Sequence, residues 1–271
     1  MSDPQPSERA PLGPGAFSLA GRVGIVTGAA VGIGRATALA FARFGADVAI
    51  CDRDDEHLDE VAAAVRAEGR RVTTGLLDVR DTAAVESFVS AVMADHGRLD
   101  VVVNNAGGGF ASSFVDVNDK GQDALMRENF TSVTNFVRSG VARMDAGGSI
   151  VNITSIEAHR AAPNFAVYSA MKAAVANLSK SLALELGPRR IRVNCIAPDV
   201  IPTPGIGEVS VRTPLPIAGH VDDVAAAAVY LASDASRFVT GTTIHVDGGN
   251  LAAGGWIRRP DGSYGTGAEP A

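Results

Sequence analysis

The sequence predicts an α/β protein with a doubly wound, Rossmann-type fold: one domain around a seven-stranded parallel sheet flanked by helices. Three observations predict it. Short runs rich in Val and Ile alternate with longer segments of helical apolar spacing, which is typical of buried parallel strands separated by covering helices. A glycine-rich turn follows the first strand and opens the first helix. Neither an internal repeat nor a linker interrupts the alternation between residues 21 and 247.

The elements follow in strict order along the chain. Strands are predicted at RVGIVTG (22–28), DVAICD (47–52), RVTTGLLD (71–78), LDVVVNNAG (99–107), SIVNITS (149–155), IRVNCIAP (191–198) and TTIHVDGG (242–249). Helices are predicted at 34–45, 54–69, 81–96, near 119–143, 166–187 and 221–232. Gly45 and Gly69 are candidate helix ends, because glycine readily adopts the left-handed conformation there. Right-handed crossovers between successive strands then produce the doubly wound sheet.

Three parts of the chain are distinguished by composition. Residues 1–17 are rich in Pro, Ser and Gly and lack an apolar stretch of signal-peptide length, so they are predicted to form a flexible leader. Residues 18–250 form the predicted Rossmann-type catalytic domain, and 251–271 a tail. That tail either docks Trp256 on a neighbouring subunit or is disordered. No run of about 18 strongly apolar residues predicts a membrane span, so a cytoplasmic location is expected.

Composition and charge argue against several classes of function. The net charge of −6 disfavours nucleic acid or an anionic membrane surface as the partner, and 5% aromatic residues provide few stacking platforms for bases. Cys51 and Cys195 lie inside predicted strands, as small buried thiols do. The five histidines are scattered without the spacing of metal ligands, so no metal is predicted.

The first strand-to-helix turn, TGAAVGIG, has the features of a phosphate-binding loop. Gly28 lets the chain turn tightly, and the missing side chains at Gly32 and Gly34 let backbone N–H groups approach a pyrophosphate. The predicted pyrophosphate contacts are Gly28, Gly32, Ile33 and Gly34. The spacing is G-x-x-x-G-x-G, a variant of the usual dinucleotide-binding pattern.

A second motif, YSAMK, places Tyr168 and Lys172 on one helical turn, where by themselves they could be an ordinary surface pair. With the glycine-rich turn, however, the chain resembles the classical short-chain dehydrogenase/reductase family over roughly residues 18–250. The family's further motifs occur in the same order: NNAG at 104–107, ENF with Asn129, IVNITS ending at Ser155, VNCIAP and TIHVDGG. Ser155 lies thirteen residues before Tyr168, which is the family's spacing.

The resemblance implies an NAD(P)-dependent oxidoreductase that moves a hydride between nicotinamide and a secondary alcohol or ketone, with cyclic, sterol-like and terpenoid compounds as candidate substrates. Tyr168 would then exchange a proton with the substrate oxygen, and Ser155 would hold that oxygen. Lys172 would lower the pKa of Tyr168 and bind the nicotinamide ribose. Asn129 would bind a water that relays protons.

The expected cofactor is NAD. Asp52 ends the second strand 18 residues past Gly34, where a carboxylate accepts hydrogen bonds from the adenosine ribose and repels a 2′-phosphate. Val31 occupies the position where phosphate-binding members usually have a basic residue, although Arg53 could turn toward a phosphate. The remaining cofactor contacts implied by the resemblance are Asp78 and Val79 at the adenine, Asn105, Ala106 and Gly107 beside the cofactor, Pro198 and Val200 at the nicotinamide, and Tyr168 and Lys172.

Some features leave alternatives open. Pro198-Asp199 stands where the family often has Pro-Gly, and places a carboxylate near the nicotinamide. The proline-rich loop that follows is either a stiff lid or a packing element, and His159 and Arg160 either face the substrate or are solvated.

The alternative functions are a 3-oxoacyl-carrier-protein reductase using NADPH, which Asp52 and the net charge disfavour, and a non-catalytic nucleotide-binding protein, which typically loses the tyrosine or the lysine. The resemblance also implies a dimer or homotetramer paired through the helices near 119–143 and 166–187.

Overall fold

A seven-stranded, all-parallel sheet forms the centre of the molecule, with strand order β3-β2-β1-β4-β5-β6-β7. The computed structural model describes residues 12–204, 206–207, 211, 213–259 and 261–266. The strands are β1 (Val23–Thr27), β2 (Asp47–Asp52), β3 (Val72–Leu76), β4 (Val101–Asn104), β5 (Gly148–Ile153), β6 (Ile191–Pro198) and β7 (Thr243–Val246). The predicted fold is confirmed. The strand order reverses between β1 and β4, which is where doubly wound sheets bind their ligands.

Helices cover both faces of this sheet. They are α1 (Gly32–Arg43), α2 (Asp55–Ala67), α3 (Thr82–His96), α4 (Asp119–Met126), α5 (Ser132–Val141), α6 (Ala166–Leu186), α7 (Val221–Ala232) and the short α8 (Asn250–Ala253). Helices α1, α2 and α7 pack on one face and α3, α5 and α6 on the other, forming two apolar clusters. Successive strand residues alternate between them, so that Val26 contributes to the first cluster and Ile25 to the second.

Helix starts and ends follow local chemistry. The Asp54 side chain accepts a hydrogen bond from the backbone N–H of His57 at 3.2 Å and so caps α2. Asp81 caps α3 in the same way, accepting from Ala83 N at 2.9 Å and Ala84 N at 3.1 Å. Gly97 ends α3 with φ +73°, a left-handed conformation that few other residues adopt at low cost.

The helix predicted near 119–143 differs from expectation. Residues Arg127–Thr131 form a π-helical turn that separates α4 from α5. Such turns insert one extra residue into the helical repeat and are frequent at functional sites. Asn129 lies in the middle of this turn with no exposed surface. The irregular winding therefore rotates a polar side chain into the interior.

The two ends of the chain are described only in part. Of the predicted leader, Pro14–Phe17 forms a turn of 3₁₀ helix, and the Phe17 ring centroid lies 6.4 Å from that of Tyr230 in α7; residues 1–11 lie outside the described residues. The tail forms α8 and then an antiparallel hairpin of β8 (Ile257–Arg258) and β9 (Tyr264–Gly265). Trp256 is 55% exposed. None of the helices in the described part of the chain has the length and apolarity needed to cross a membrane.

Candidate active site

The turn between β1 and α1 brings backbone atoms unusually close together. Gly28 has φ +64°, and a Cβ there would lie 2.9 Å from the Ala106 Cα atom. A Cβ at Gly34 would overlap the Gly28 carbonyl oxygen. Helix α1 begins after Val31, which provides no side-chain cap for the helix in the described structure. Its first N–H groups therefore remain available to an anion.

The loop after β4 is tied to this turn by side chains. The Asn105 amide donates to the carbonyl oxygens of Thr27 at 2.9 Å and Gly28 at 3.0 Å. The Thr27 hydroxyl accepts from the backbone N–H groups of Asn105 and Ala106, each at 3.0 Å. The Asn105 side chain thus holds the glycine-rich turn in place. Thr27 was not predicted as a site residue, although its position directly before Gly28 could have indicated that it supports the glycine-rich turn.

Asp52 joins the end of β2 to the same turn. Its Oδ2 accepts from Ala30 N at 3.0 Å, and its Oδ1 accepts from the backbone N–H groups of Arg53 at 2.7 Å and Asp54 at 3.3 Å. A carboxylate has about four acceptor positions, so one on Oδ2 remains after these three bonds. The Arg53 guanidinium lies 3.4 Å from Glu128 Oε1 in the π-helical turn, a contact that sequence reasoning missed.

Asp78, after β3, is paired with Arg80. The Arg80 backbone N–H donates to Oδ1 at 2.9 Å, while its guanidinium donates to both carboxylate oxygens at 2.6–3.0 Å. The Arg80 side chain, as the largest cause, lowers the pKa of Asp78 to about 2. Arg80 thus takes up the acceptor capacity of the carboxylate. The neighbouring Val79 is buried.

Tyr168, Lys172 and Ser155 meet at the carboxyl end of β5. Tyr168 lies on the first turn of α6, and Lys172 Nζ lies 5.6 Å from the centroid of its ring. The Lys172 ammonium donates to the Ile153 carbonyl oxygen at 3.0 Å, which anchors it to the last residue of β5. The Ser155 hydroxyl accepts from Glu157 N at 3.1 Å, and it lies near enough to Tyr168 to lower the pKa of the phenol.

Burial governs the proton affinities of this group. Lys172 is 5% exposed, and burial lowers its pKa to about 8. Burial also raises the pKa of Tyr168; the Ser155 contact opposes this rise and the charge of Glu157 adds to it. The expectation that Lys172 brings the pKa of Tyr168 below its ordinary value is wrong in this structure. Desolvation of the phenolate is the larger effect.

Asn129 is held by the loop after β4. Its Nδ2 donates to the carbonyl oxygens of Gly108 at 2.8 Å and Leu125 at 3.0 Å, and its Oδ1 accepts from Gly108 N at 3.2 Å. A Cβ at Gly107 would lie 2.8 Å from Asn129 Oδ1 and 3.1 Å from Lys172 Nζ. Both amide hydrogens are therefore engaged by the protein, and a water could bind only at the second lone pair of Oδ1.

The loop after β6 closes the other side of the site. Pro198 ends β6, and the Asp199 backbone N–H donates to the Val246 carbonyl oxygen at 3.1 Å. Val200 is half exposed. A Cβ at Gly32 would lie 3.1 Å from the Thr203 side chain, so this loop reaches across to the glycine-rich turn. A cleft with the chemistry of a dinucleotide site is thereby bounded on both sides.

Comparisons with known proteins agree with this architecture. A family model described as enoyl-(acyl carrier protein) reductase matches residues 28–250. Gluconate 5-dehydrogenase of Gluconobacter oxydans is 38% identical over 249 residues, covering 87% of this chain and 97% of that protein. The 3-oxoacyl-[acyl-carrier-protein] reductase of Thermotoga maritima is 37% identical over 241 residues, covering 85% and 98%. Carveol dehydrogenase from Mycobacterium avium, solved in complex with NAD, superposes with a TM-score of 0.82 at 33% identity, covering 86% of this chain and 99% of that one.

The fold and the relatives together define an oxidoreductase of the class that uses a nicotinamide cofactor. The chain belongs to the short-chain dehydrogenase/reductase family, as its motifs indicated. The residues present fit such a cofactor: the start of α1 has no side-chain cap, the close approach of Gly28 and Gly34 to neighbouring backbone atoms leaves no room for side chains in the turn, and Asp52 retains an acceptor position.

Proposed function

We propose that the protein is an NAD-dependent dehydrogenase or reductase that acts on a secondary alcohol or ketone. The observation that carries the proposal is the meeting of Tyr168, Ser155 and Lys172 at the end of β5, where Gly107 packs closely against Lys172. A fold alone would not support an activity, because one fold hosts many functions. Here each proposed group has the chemistry that a proton transfer coupled to hydride transfer requires.

The bound nicotinamide supplies or accepts the hydride. Ser155 donates a hydrogen bond to the substrate oxygen and so stabilises the charge that develops there. Tyr168 gives that oxygen a proton during reduction and removes it during oxidation. Its raised pKa keeps the phenol protonated at neutral pH, ready to act as the acid. Oxidation needs the phenolate, so its rate is expected to rise with pH.

Lys172 and Asn129 assist the two residues that contact the substrate oxygen, Ser155 and Tyr168. Lys172 in its charged form would favour the phenolate and would bind the nicotinamide ribose. Asn129 positions the loop after β4 through its bonds to Gly108, which keeps Gly107 against the lysine. A water on the remaining lone pair of Asn129 Oδ1 would serve the proton relay.

The proposed cofactor site runs along the carboxyl edge of the sheet. Gly28, Gly32, Ile33 and Gly34 approach the pyrophosphate with the N-terminus of α1. Asp52 offers its remaining Oδ2 acceptor position to the adenosine ribose. The Asp78 carboxylate is already hydrogen-bonded to Arg80. The adenine would therefore contact the backbone of Asp78 and Val79. Ala106 and Gly107 would lie beside the cofactor, and Pro198 and Val200 would lie at the nicotinamide.

NAD is proposed over NADP on three grounds. The Asp52 carboxylate would repel a 2′-phosphate. Arg53, the basic residue beside it, already contacts Glu128. The likeness to carveol dehydrogenase, whose solved structure contains NAD, supports the same choice.

The test is a panel of secondary alcohols with NAD⁺, followed at 340 nm, in the wild type and in Tyr168→Phe. The variant should bind NAD normally and lose about 10²-fold or more in kcat, because positioned acid–base groups typically contribute that much. Asp145→Ala, which alters an exposed loop carboxylate before β5, is the control. Turnover by Tyr168→Phe at the wild-type rate would refute the mechanism.

A second candidate is a 3-oxoacyl-carrier-protein reductase that uses NADPH. The Thermotoga maritima relative favours it, while Asp52 and the net charge of −6 oppose it. Reduction of a 3-oxoacyl thioester with NADPH at a rate above that of any alcohol oxidation with NAD⁺ would establish this second function.

A further inference from the structure

Glu128 connects two segments of the proposed cofactor site, and the reaction proposed above gives it no role. It lies in the π-helical turn directly before Asn129, which bonds to the loop after β4. Its carboxylate instead reaches the segment after β2, where Glu128 Oε1 lies 3.4 Å from Arg53 Nη2. The π-helical turn therefore contributes one residue to the inner end of the site and one to the end near Asp52.

The Arg53 guanidinium has few acidic groups to pair with. The Asp52 carboxylate accepts hydrogen bonds from three backbone N–H groups, and the Asp78 carboxylate is paired with Arg80. Within 4 Å of the Arg53 guanidinium, Glu128 provides the sole carboxylate among the residues that the structure describes. The position of the Arg53 side chain therefore depends on Glu128.

A 2′-phosphate on the cofactor would compete for this guanidinium. Asp52 is the proposed partner of the adenosine ribose, and Arg53 is the next residue in the chain. Arginine binds phosphate strongly through charge-assisted hydrogen bonds. To bind it here, Arg53 would have to leave Glu128, whereas NAD makes no such demand. The ion pair therefore disfavours NADP and leaves NAD unaffected.

The size of this effect follows from exposure. The Arg53 and Glu128 side chains are 59% and 28% exposed, so water and salt screen the pair. Exposed ion pairs change an equilibrium by about twofold to fivefold. Glu128 would thus adjust a choice that Asp52 makes for the most part.

Resting on the proposed nicotinamide-dependent function, we propose that Glu128 is a cofactor-selectivity residue that disfavours NADP by holding the Arg53 side chain away from the 2′-phosphate. Asp52 repels that phosphate, and Glu128 withholds the cation that would bind it. Glu128 is a positioning residue in this scheme, because it acts through Arg53.

The experiment measures the binding of NAD⁺ and NADP⁺ by calorimetry, with displacement of NAD⁺ where NADP⁺ binds weakly. Binding is measured instead of turnover because the charge of Glu128 also acts to raise the pKa of Lys172. Glu128→Gln keeps the shape of the side chain and should raise the NADP-to-NAD affinity ratio by about twofold to fivefold. Asp123→Asn removes an exposed carboxylate from α4, the helix before the π-helical turn, and should leave the ratio unchanged.

Variants of Arg53 test whether Glu128 acts through it. Arg53→Ala by itself should change the ratio by less than about twofold, because the pair already withholds this side chain from the phosphate. Glu128→Gln added to Arg53→Ala should give no gain, because no cation remains to be released. A gain of the same size in both backgrounds would show that Glu128 repels the phosphate directly and would overturn the proposal. An unchanged ratio in Glu128→Gln, or a large fall in Arg53→Ala alone, would overturn it as well.

Assays of alcohol oxidation separate this proposal from the proposed function. A ratio that responds as expected in a protein that oxidises no alcohol supports the role of Glu128, and the dehydrogenase assignment then fails. Oxidation of an alcohol together with a ratio that Glu128→Gln leaves unchanged overturns the role of Glu128 alone. Failure of the wild type to bind either cofactor overturns both. Circular dichroism establishes that the variants are folded, and the Arg53→Ala result tests the proposal even if Glu128→Gln does not fold.

Discussion

The proton affinity of Tyr168 depends on groups from three different elements. Burial of its ring is the largest influence and raises its pKa, a polar contact with Ser155 opposes the rise, and the negative charge of Glu157 adds to it. Lys172 faces the Tyr168 ring from the next turn of α6. The negative charge of Glu128 in turn acts to raise the pKa of Lys172. Arg160 partly neutralises Glu157 through its ion pair. At the residue scale, acid–base strength is set by neighbours that the motif does not contain.

Glu157→Gln should shift the pH dependence of alcohol oxidation to lower pH. The reason is the sign of the charge: a carboxylate disfavours the phenolate, and removing it lowers the pKa of Tyr168. Arg160→Ala should shift the profile the opposite way, because it leaves Glu157 unneutralised. The measurement is kcat/KM against pH for one alcohol, with Asp145→Asn as the exposed control. Identical profiles in all variants would show that Glu157 has no influence on the base.

Asp52→Ala should change the balance between the two cofactors. Loss of the ribose hydrogen bond should weaken NAD binding by roughly ten- to a hundredfold, since a hydrogen bond to a charged group contributes ~1.5–3 kcal/mol. The variant also frees Ala30 N, which weakens the turn for either cofactor, so the informative quantity is the ratio of the NAD and NADP affinities. That ratio should move toward NADP in calorimetric titrations.

The double variant Asp52→Ala, Arg53→Ala tests whether Arg53 then pairs with the 2′-phosphate. It should lose part of the gain in NADP affinity that Asp52→Ala produces. A ratio that stays at the wild-type value in Asp52→Ala would reduce Asp52 to a turn residue and remove the main support for NAD.

At the scale of elements, the site depends on how the loop after β4 is clamped between the π-helical turn and α6. Asn129 reaches this loop because the π-helical winding turns it inward, and it bonds both backbone polar groups of Gly108. Lys172 approaches from α6 and is anchored on β5. Gly107 lies where the two side chains converge. The π-helical turn, the loop after β4 and α6 therefore meet at Gly107.

Gly107→Ala should therefore impair catalysis much more than Gly108→Ala. A Cβ at 107 would crowd both Asn129 Oδ1 and Lys172 Nζ, whereas a Cβ at 108 meets nothing within 4 Å. Displacing a catalytic group by about 1 Å can lower the rate by about 10²-fold, and the crowding should destabilise the fold by about 1–3 kcal/mol. Steady-state kinetics and urea unfolding of both variants measure the two effects. Equal activity of the two variants would contradict the crowded geometry.

At the scale of the whole molecule, one outer face of α6 is left uncovered in the single chain. Leu184 is 81% exposed there, on a helix whose other side packs against β5 and β6. Large apolar side chains exposed on a regular helix often mark an interface between copies. Together with the family resemblance, this supports the proposal of a dimer or tetramer paired through α5 and α6.

Sedimentation velocity at micromolar concentration should accordingly show an oligomer, and Leu184→Glu should shift it toward monomer by placing a charge in the buried contact. Phe44→Glu makes a comparable change on an exposed apolar residue just after α1 and should leave the assembly intact. A wild-type protein that sediments only as a monomer would contradict the proposed pairing.

Much of this protein could be predicted from local sequence. β2 and β6 have the predicted bounds, because short apolar runs rich in β-branched residues determine strands locally. The family resemblance, carried by the spacing of Ser155, Tyr168 and Lys172, predicted that these residues share one site, and all three lie near the carboxyl end of β5 in the structure. By itself the sequence therefore determined the fold, the family and the residues of the proposed site.

Other features were decided only by the tertiary structure. The Arg53–Glu128 contact joins residues 75 apart, and the Asp199–Asn250 bond joins residues 51 apart, so no local pattern contains them. The upward direction of the Tyr168 pKa shift is set mainly by how much water the packed chain removes from the phenol. Desolvation and long-range pairing are properties of the packed molecule, because they arise only when distant segments exclude solvent together.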